Sequence, residues 1–450
     1  MIDVFEQQSS VGGVWVYSPD IPKGKTEVPQ TNPFQPLEEP TWHYRKGKTL
    51  EDSRVAREPT FISPMYDRLE TNIPRCLMKF SDKPFPKDEQ LFPGHESVLQ
   101  YLEEHAEDVM HLVQFNTQVL DVSRRFVDGK REWSIKTKKL ISKKITEKTY
   151  DAVVIASGHY KVPFVPEIKG IKEWNKAYPG TISHSKFYKT PSDYCGKKVL
   201  IVGYSASGVD IASQISTLST HPLLISQRSP SLFSPSTPPW ATPLPEIIEF
   251  LPPSSTHPRA IRFADNHTES HIDAVLFCTG YLYSFPFLSS LRPQLIRTGE
   301  RVQNLYEHLF YTYDPTLAFI GLPFPIIPFR TCESQAAVIA RVWSGRLDLP
   351  SRSSMSSWEN GRVADQGSRR RFHALNFPQD FDYHNALCDW AMEAKRPEQG
   401  KLPPKWSEKE RWARGRFPAI KKAFVEKGEG RRAVRTMEEL GFVYEQGVGG

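Results

Sequence analysis

The run Val199-Leu200-Ile201-Val202-Gly203 constrains this chain more than any other segment. Four apolar residues rich in β-formers end in glycine, and a helical stretch, Ser207–Ser216, follows almost at once. A buried strand, a glycine turn and a helix in that order belong to doubly wound α/β sheets. Gly203-Tyr204-Ser205-Ala206-Ser207-Gly208 occupies the place of a G-x-G-x-x-G fingerprint. There Gly203 allows the tight turn and Gly208 lets the helix pack closely on the strand. The helix N-terminus presents free N–H groups and a positive dipole end to a pyrophosphate. Ser205 replaces the middle glycine, which weakens the motif, and a purely structural turn is the alternative. About 20 residues on, where an NAD site carries an acid for the ribose diol, stands Arg228. A cation suits a 2′-phosphate and so favours NADP; the plain alternative is a surface arginine in a loop.

The first residues read as the second half of another such unit. Val4-Phe5 forms a short strand and Glu6 ends it, placed to accept from a ribose diol, with Val11-Gly12-Gly13-Val14-Trp15 behind. The first half of that βαβ unit, about 25–30 residues with its own glycine turn, is expected upstream of residue 1. A loop-like stretch follows over 18–63, then a helix over 96–111 and strands over 113–122, 132–138 and 150–156. The lysine-rich 136–148 region reads as solvated edge strands. Beyond Gly203 come a strand over 221–226, Pro-rich loops over 229–258, and a hairpin over 259–277 that leads into Ala274–Phe277. A strand over 316–321, a helix over 333–344 and helical stretches near 384–395 and 407–426 complete the reading.

Composition narrows the class. A chain of 450 residues with 39% apolar and 24% charged residues supports a sizeable core in two or three units. No apolar run reaches the ~18 residues of a membrane span, and the start has no secretory pattern. Cys76, Cys195, Cys278, Cys332 and Cys388 are scattered without a C-x-x-C, which argues for a reducing, cytoplasmic setting and against zinc. His267 and His271 sit in a hairpin and would not converge on a metal, so no metal site is expected. Of the net charge of +6, most falls in residues 391–450, with 14 Lys and Arg against 9 Asp and Glu. No nucleic-acid motif accompanies it, so the tail reads as a solvated helical extension that packs on the domains or touches a membrane surface.

Four segments together resemble the flavin-containing monooxygenase family, in its fungal branch. Phe5-Glu6…Gly12-Gly13-Val14-Trp15 is similar to the strand signature around the FAD adenosine, and Thr71-Asn72-Ile73-Pro74 to the T-N-x-P loop beside the isoalloxazine. Tyr178–Tyr188 is similar to the identifying F-x-G-x-x-x-H-x-x-x-[YF] motif, with Tyr178 for its first Phe. Phe277-Cys278-Thr279-Gly280-Tyr281 is similar to the F-x-T-G-Y link. Tyr188, where Baeyer–Villiger enzymes carry Trp, argues against that relative without removing it.

The resemblance implies an α/β fold of two Rossmann-like domains, an FAD domain split by an inserted NADP domain, and a helical C-terminal extension. The expected boundaries are 1–158 and 278–345 for the FAD domain, 159–277 for the NADP domain and 346–450 for the extension. It implies FAD and NADPH as cofactors, and O₂ with a small nucleophilic amine, thiol or sulfide as reactants, oxygenated through a C4a-hydroperoxyflavin. Glu6, Gln7 and Val119 would meet the FAD adenosine, and Val14, Trp15, Asn72 and Ile73 the flavin, with Gln335 a further candidate there. Thr71, Asn72, Gly203, Ser205, Ser207, Gly208, Val209 and Asp210 would contact NADP, with Arg228 on the 2′-phosphate. Asn72 is the catalytic candidate, since an amide donates and accepts without a titratable proton; its plain alternative is a cap on the turn before Pro74. His184 reads as a structural hydrogen-bonder. The alternatives are an FAD-deficient fragment that keeps NADP binding, or a Baeyer–Villiger-type enzyme. A homo-oligomer is compatible with this reading.

Overall fold

The computed structural model describes residues 1–18, 26–44, 57–229, 231 and 237–445. Its most buried element is a parallel sheet of five strands, in the order Ile182–His184, Ala274–Phe277, Val199–Val202, Leu223–Ser226, Ala241–Leu244. The three central strands are buried throughout, as parallel strands covered on both faces must be. Alternate residues serve alternate faces. Leu200, Val202, Leu224, Val275 and Phe277 pack with Trp174, Phe250 and Phe263. Val199, Ile201, Leu223, Ile225 and Leu276 pack with Ile211, Ala212 and Ile215 of the helix Ala206–Ile215.

A second unit is built from chain on both sides of that sheet. Val153–Ile155 pairs in parallel with Leu317–Phe319, and Phe310–Tyr311 and Leu305–Tyr306 extend the sheet. An antiparallel sheet of Thr117–Val127, Lys130–Lys139 and Ile145–Tyr150 shares its core through Val122, Trp133 and Ile135. The chain therefore leaves this unit near Ile155 and returns to it by Leu317, with the five-stranded sheet as an insertion. Val4–Phe5 runs parallel to Val113–Gln114.

Several expectations need correction. The helix ends at His105 and gives way to a 3-10 turn, Glu107–Leu112, which closes against the strand at Val113. The lysine-rich segment supplies an edge strand, Ile145–Tyr150, but Lys130–Lys139 lies between its two neighbours. Alternation reconciles the two: Lys136 is exposed while Ile135 and Thr137 are buried. The Pro-rich stretch contains two strands, Ala241–Leu244 and Ile247–Phe250. Pro243 is tolerated because its strand is the outermost of the parallel sheet. Thr41–Tyr44 and Arg57–Thr60 form a hairpin inside the expected loop; the parts of the expected loops at 19–25, 45–56, 230 and 232–236 lie outside the described residues.

The helix expected at 333–344 runs from Pro328 to Trp343, with Pro328 in the first turn, where a missing N–H costs nothing. Helix Arg352–Gln366 was not foreseen, because its stretch is polar and only Met355 is buried. Helix Gln379–Met392 lies against Pro328–Trp343. Helix Glu408–Glu426 starts with a capping box of Ser407 and Glu410, and seats Ala413, Ile420 and Phe424 against Leu77, Leu91 and Phe92. The basic extension thus packs on the domains. Among the described residues no helix is long and apolar enough to cross a membrane.

Candidate active site

The glycine turn is built for close approach. Gly203 has φ +92°, and a Cβ there would stand 2.8 Å from the Cys278 carbonyl oxygen. A Cβ on Gly208 would stand 2.2 Å from the carbonyl oxygen of Gly203. Ser205 is the N-cap of helix Ala206–Ile215 and its side chain makes no cap bond, so the first N–H groups stay open to a ligand. Ser205 and Ser207 are exposed beside them. Val209 turns into the apolar layer. Asp210 turns towards the other domain: its Oδ2 accepts from the Tyr66 hydroxyl and from Gln214 Nε2 at 3.1 Å. Burial raises its pKa, against the pull of Lys421 and the Tyr66 bond.

Arg228 lies two residues past the strand Leu223–Ser226. Its side chain is 85% exposed, and Glu246 is 3.8 Å away. A pair so exposed and long holds the guanidinium loosely. Arg228→Ala is expected to weaken NADPH roughly tenfold or more while leaving NADH nearly unchanged, in line with the loss of a charge-assisted phosphate contact. Parallel kinetic measurements with the two nucleotides check this; equal losses with both would assign Arg228 a merely structural part.

At the other end, Glu6 N donates to Gln114 O at 3.2 Å and Glu6 O accepts from Thr117 N at 2.9 Å. That ladder brings Glu6, the half-buried Gln7 and Val119 together. The Glu6 carboxylate accepts from Gln8 N at 2.8 Å; burial raises its pKa, offset by the Gln8 and Gln7 N–H groups and by Lys161. Nearby, Tyr160 is 43% exposed, yet desolvation still raises its phenol.

The residues expected at the flavin also converge. Gly13–Trp15 forms a 3-10 turn, and Trp15 and Ile73 pack into one cluster with Phe80, Val98 and Tyr101. Val14 O accepts from Ser63 Oγ. From Ser63 the chain runs to Tyr66, which meets Asp210, and on to Thr71, Asn72 and Ile73. One continuous segment therefore borders the Gly13–Trp15 turn and the helix Ala206–Ile215 of the inserted domain, and carries the T-N-x-P loop. Thr71 is buried; its Oγ1 donates to Ile73 O at 2.9 Å and its N–H to Pro93 O at 2.9 Å. Thr71, not Asn72, therefore closes this turn. Among the described residues the half-buried Asn72 amide has no protein partner, which leaves it available to a ligand.

Gln335 is placed elsewhere. It lies mid-helix and fully buried, its Oε1 accepting from Gly321 N at 2.9 Å and its Nε2 donating to Tyr383 at 3.1 Å. Its amide is committed to the core. Sequence reasoning missed Tyr66 and Lys421, which lie in no motif, and gave no role to Glu70, which stands just before the T-N-x-P loop. His184 is fully buried. Its Nε2 lies 3.0 Å from Gly280 O, and its Nδ1 accepts from Lys186 N at 3.0 Å. It thus joins the third and fourth motif segments.

Two nucleotide-binding frames that share one bordering segment define a flavoprotein of two dinucleotide-binding domains. The chain belongs to the Flavin-binding monooxygenase-like family, which matches residues 58–237 and 254–393. It is 31% identical over 400 residues to flavin-containing monooxygenase FMO GS-OX-like 2 of Arabidopsis thaliana, covering 86% of this chain and 78% of that one. It is 32% identical over 325 residues to the thiol-specific monooxygenase of Saccharomyces cerevisiae, covering 68% and 69%. The solved structure of S-allyl-L-cysteine S-oxygenase from Allium sativum superposes with a TM-score of 0.73 at 29% identity, covering 97% of this chain and 90% of that one. The protein is thus a flavin monooxygenase that uses FAD and NADPH. Its residues fit both groups: a glycine cradle that a Cβ would fill, a carboxylate at a strand end whose pKa burial raises, and an uncommitted amide in the loop that follows Tyr66.

Proposed function

We propose that this enzyme oxygenates a soft nucleophile, a thiol or sulfide sulfur first and an amine nitrogen second. The overall change for a sulfide is R₂S + O₂ + NADPH + H⁺ → R₂SO + H₂O + NADP⁺. The thiol-specific and S-oxygenase activities that name two of its relatives support the choice of sulfur. The observation that carries the reading is the free Asn72 amide, in a loop that borders both nucleotide frames. FAD, when bound, supplies the electron transfer from NADPH to O₂.

The chain's own residues bind, orient and keep protons away. Glu6, Gln7 and Val119 would hold the adenosine of FAD. Gly203, Ser205, Ser207 and Gly208 would hold the NADPH phosphates, and Arg228 the 2′-phosphate. Asn72 would hydrogen-bond at the ring edges without a proton to lose. Burial pushes His159 down to about 4 and raises Tyr160 and Tyr281, so these rings stay neutral near pH 7. A reactive oxygen species is protected where water and acidic groups are kept away.

The test is a coupled assay on the purified chain with one bound flavin. NADPH oxidation should rise on addition of a dialkyl sulfide or a tertiary amine, with sulfoxide or N-oxide formed in step. A colourless protein that still binds NADPH would favour the FAD-deficient alternative, and consumption without oxygenated product would sink the proposal.

A further inference from the structure

We infer that the C-terminal helix Glu408–Glu426 is a working part of the oxygenation site, with Lys421 as a positioning residue for Asn72. This rests on the reading of Asn72 given above. Lys421 Nζ donates to Thr71 O at 2.8 Å and lies 3.8 Å from Glu70 Oε2. Arg431 Nε reaches both Glu70 carboxylate oxygens, at 3.1 and 3.2 Å. The ammonium also stands 4.6 Å from the Phe92 ring centre and 5.3 Å from that of Phe424.

Thr71 O belongs to the peptide that carries the N–H of Asn72. Because the peptide is planar, a hydrogen bond on that carbonyl fixes the plane from which Asn72 departs. The rest of the loop is already tied: Thr71 Oγ1 to Ile73 O, Thr71 N to Pro93 O and His95 N to Leu69 O. Lys421 supplies the remaining support from outside the domain that owns the loop. Its helix is rigidly seated, with Ile420 and Phe424 fully buried on either side.

The same ammonium senses the inserted domain. Burial lowers the Lys421 pKa, and Asp210 and Glu70 act against that fall. Asp210 is bonded to Tyr66, a few residues before the loop. One cation thus faces the loop that carries Asn72 and the helix that follows the phosphate turn. A site held to within about 0.5 Å needs this kind of outer support.

The experiment uses the full chain loaded with flavin, NADPH and thioanisole, and reads peroxide released per NADPH oxidised, normalised to bound flavin. Lys421→Ala is expected to raise the peroxide fraction roughly three- to tenfold, with flavin content and the rate of flavin reduction by NADPH unchanged. Lys421→Arg should restore most of the coupling, because it keeps a donor at Thr71 O. Asn72→Ala is the reference and should uncouple by at least as much. If Asn72→Ala uncouples and flavin-loaded Lys421→Ala leaks no more peroxide than the parent, the inference is overturned. If Asn72→Ala itself leaves the leak unchanged, the reading of Asn72 fails. Should Lys421→Ala not fold, Lys421→Met, which keeps the apolar stem and removes the donor to Thr71 O, decides: a raised leak supports the positioning role and a parental leak overturns it.

Discussion

Gly208→Ala should cut the affinity for NADPH by roughly 10- to 100-fold, with bound flavin retained. The added Cβ would stand 2.2 Å from Gly203 O and 3.1 Å from its carbonyl carbon. Both are backbone atoms, so no side chain can swing away. The turn cannot yield either, because Gly203 is pressed against the Cys278 carbonyl. Helix Ala206–Ile215 must therefore move off its strand, carrying its N-terminal N–H groups away from the phosphates. Overpacking of this kind costs about 1–3 kcal/mol, and each 1.4 kcal/mol is tenfold in affinity. The shift also strains the Tyr66–Asp210 contact on the same helix. Gly361→Ala is the control: nothing lies within 4 Å of its Cβ, and alanine suits its helix better, so stability should hold or rise. Titration of NADPH into both variants checks the contrast. An unchanged Gly208→Ala would mean that the phosphates sit elsewhere.

The second large effect is loss of stability in mild acid. His184, His308, His373 and His384 are buried to 1% exposure or less, and both ring nitrogens of His159 are shut away from solvent. Burial pushes His184 down to about 3, His159 and His384 to about 4, and His308 and His373 well below their usual value. The folded protein keeps these rings neutral while the unfolded chain protonates them near 6.5. Their contribution is therefore complete above pH 6.5 and is lost as pH falls towards the folded values. Glu307 works in the opposite sense: burial raises it to about 7, so the folded state gains a proton there that the unfolded chain does not. Glu6, Asp210, Glu359 and Asp380 are also raised and soften the loss at lower pH. Five imidazoles against one carboxyl group raised to about 7 leave the imidazoles dominant near pH 6. Linkage gives about 5 kcal/mol less stability at pH 5.5 than at 7.5. That is a large share of a typical domain's total stability. Urea unfolding at the two pH values checks it, and equal midpoints would show that these rings are protonated in the folded state.

The polar partners of His308 and His373 explain their tolerance of burial. His308 and His373 share a hydrogen bond of 2.9 Å between their Nδ1 atoms, and His373 Nε2 accepts from Val302 N at 3.0 Å. The second bond leaves His373 with its proton on Nδ1, so His308 accepts at Nδ1. Each ring can hold this arrangement only when neutral.

How much of this was legible follows from the range of the interactions. The central sheet was, because Val199–Val202 and Ala274–Phe277 are continuous apolar runs that only a buried parallel strand requires. The turn at Gly203 was legible for a local reason as well. Ala241–Leu244 was hidden by Pro243, which only an edge position permits, and edge position is a property of the assembled sheet. Helix Arg352–Gln366 lacks an apolar stripe and depends on its neighbours. Gln335 followed from its position after a Pro-Phe-Pro segment, yet Tyr383 and Gly321 claim its amide. Lys421 reaches Thr71 across 350 positions of sequence, and no spacing rule spans such a separation.

Anaerobic addition of NADPH to the purified, flavin-bearing chain tests the central claim most directly, since it asks whether the two frames hold their rings within reach of each other. The expected result is bleaching of the flavin absorption band at one NADPH per chain, with NADH far slower. A fully loaded flavin that NADPH binds beside yet fails to bleach would contradict the account.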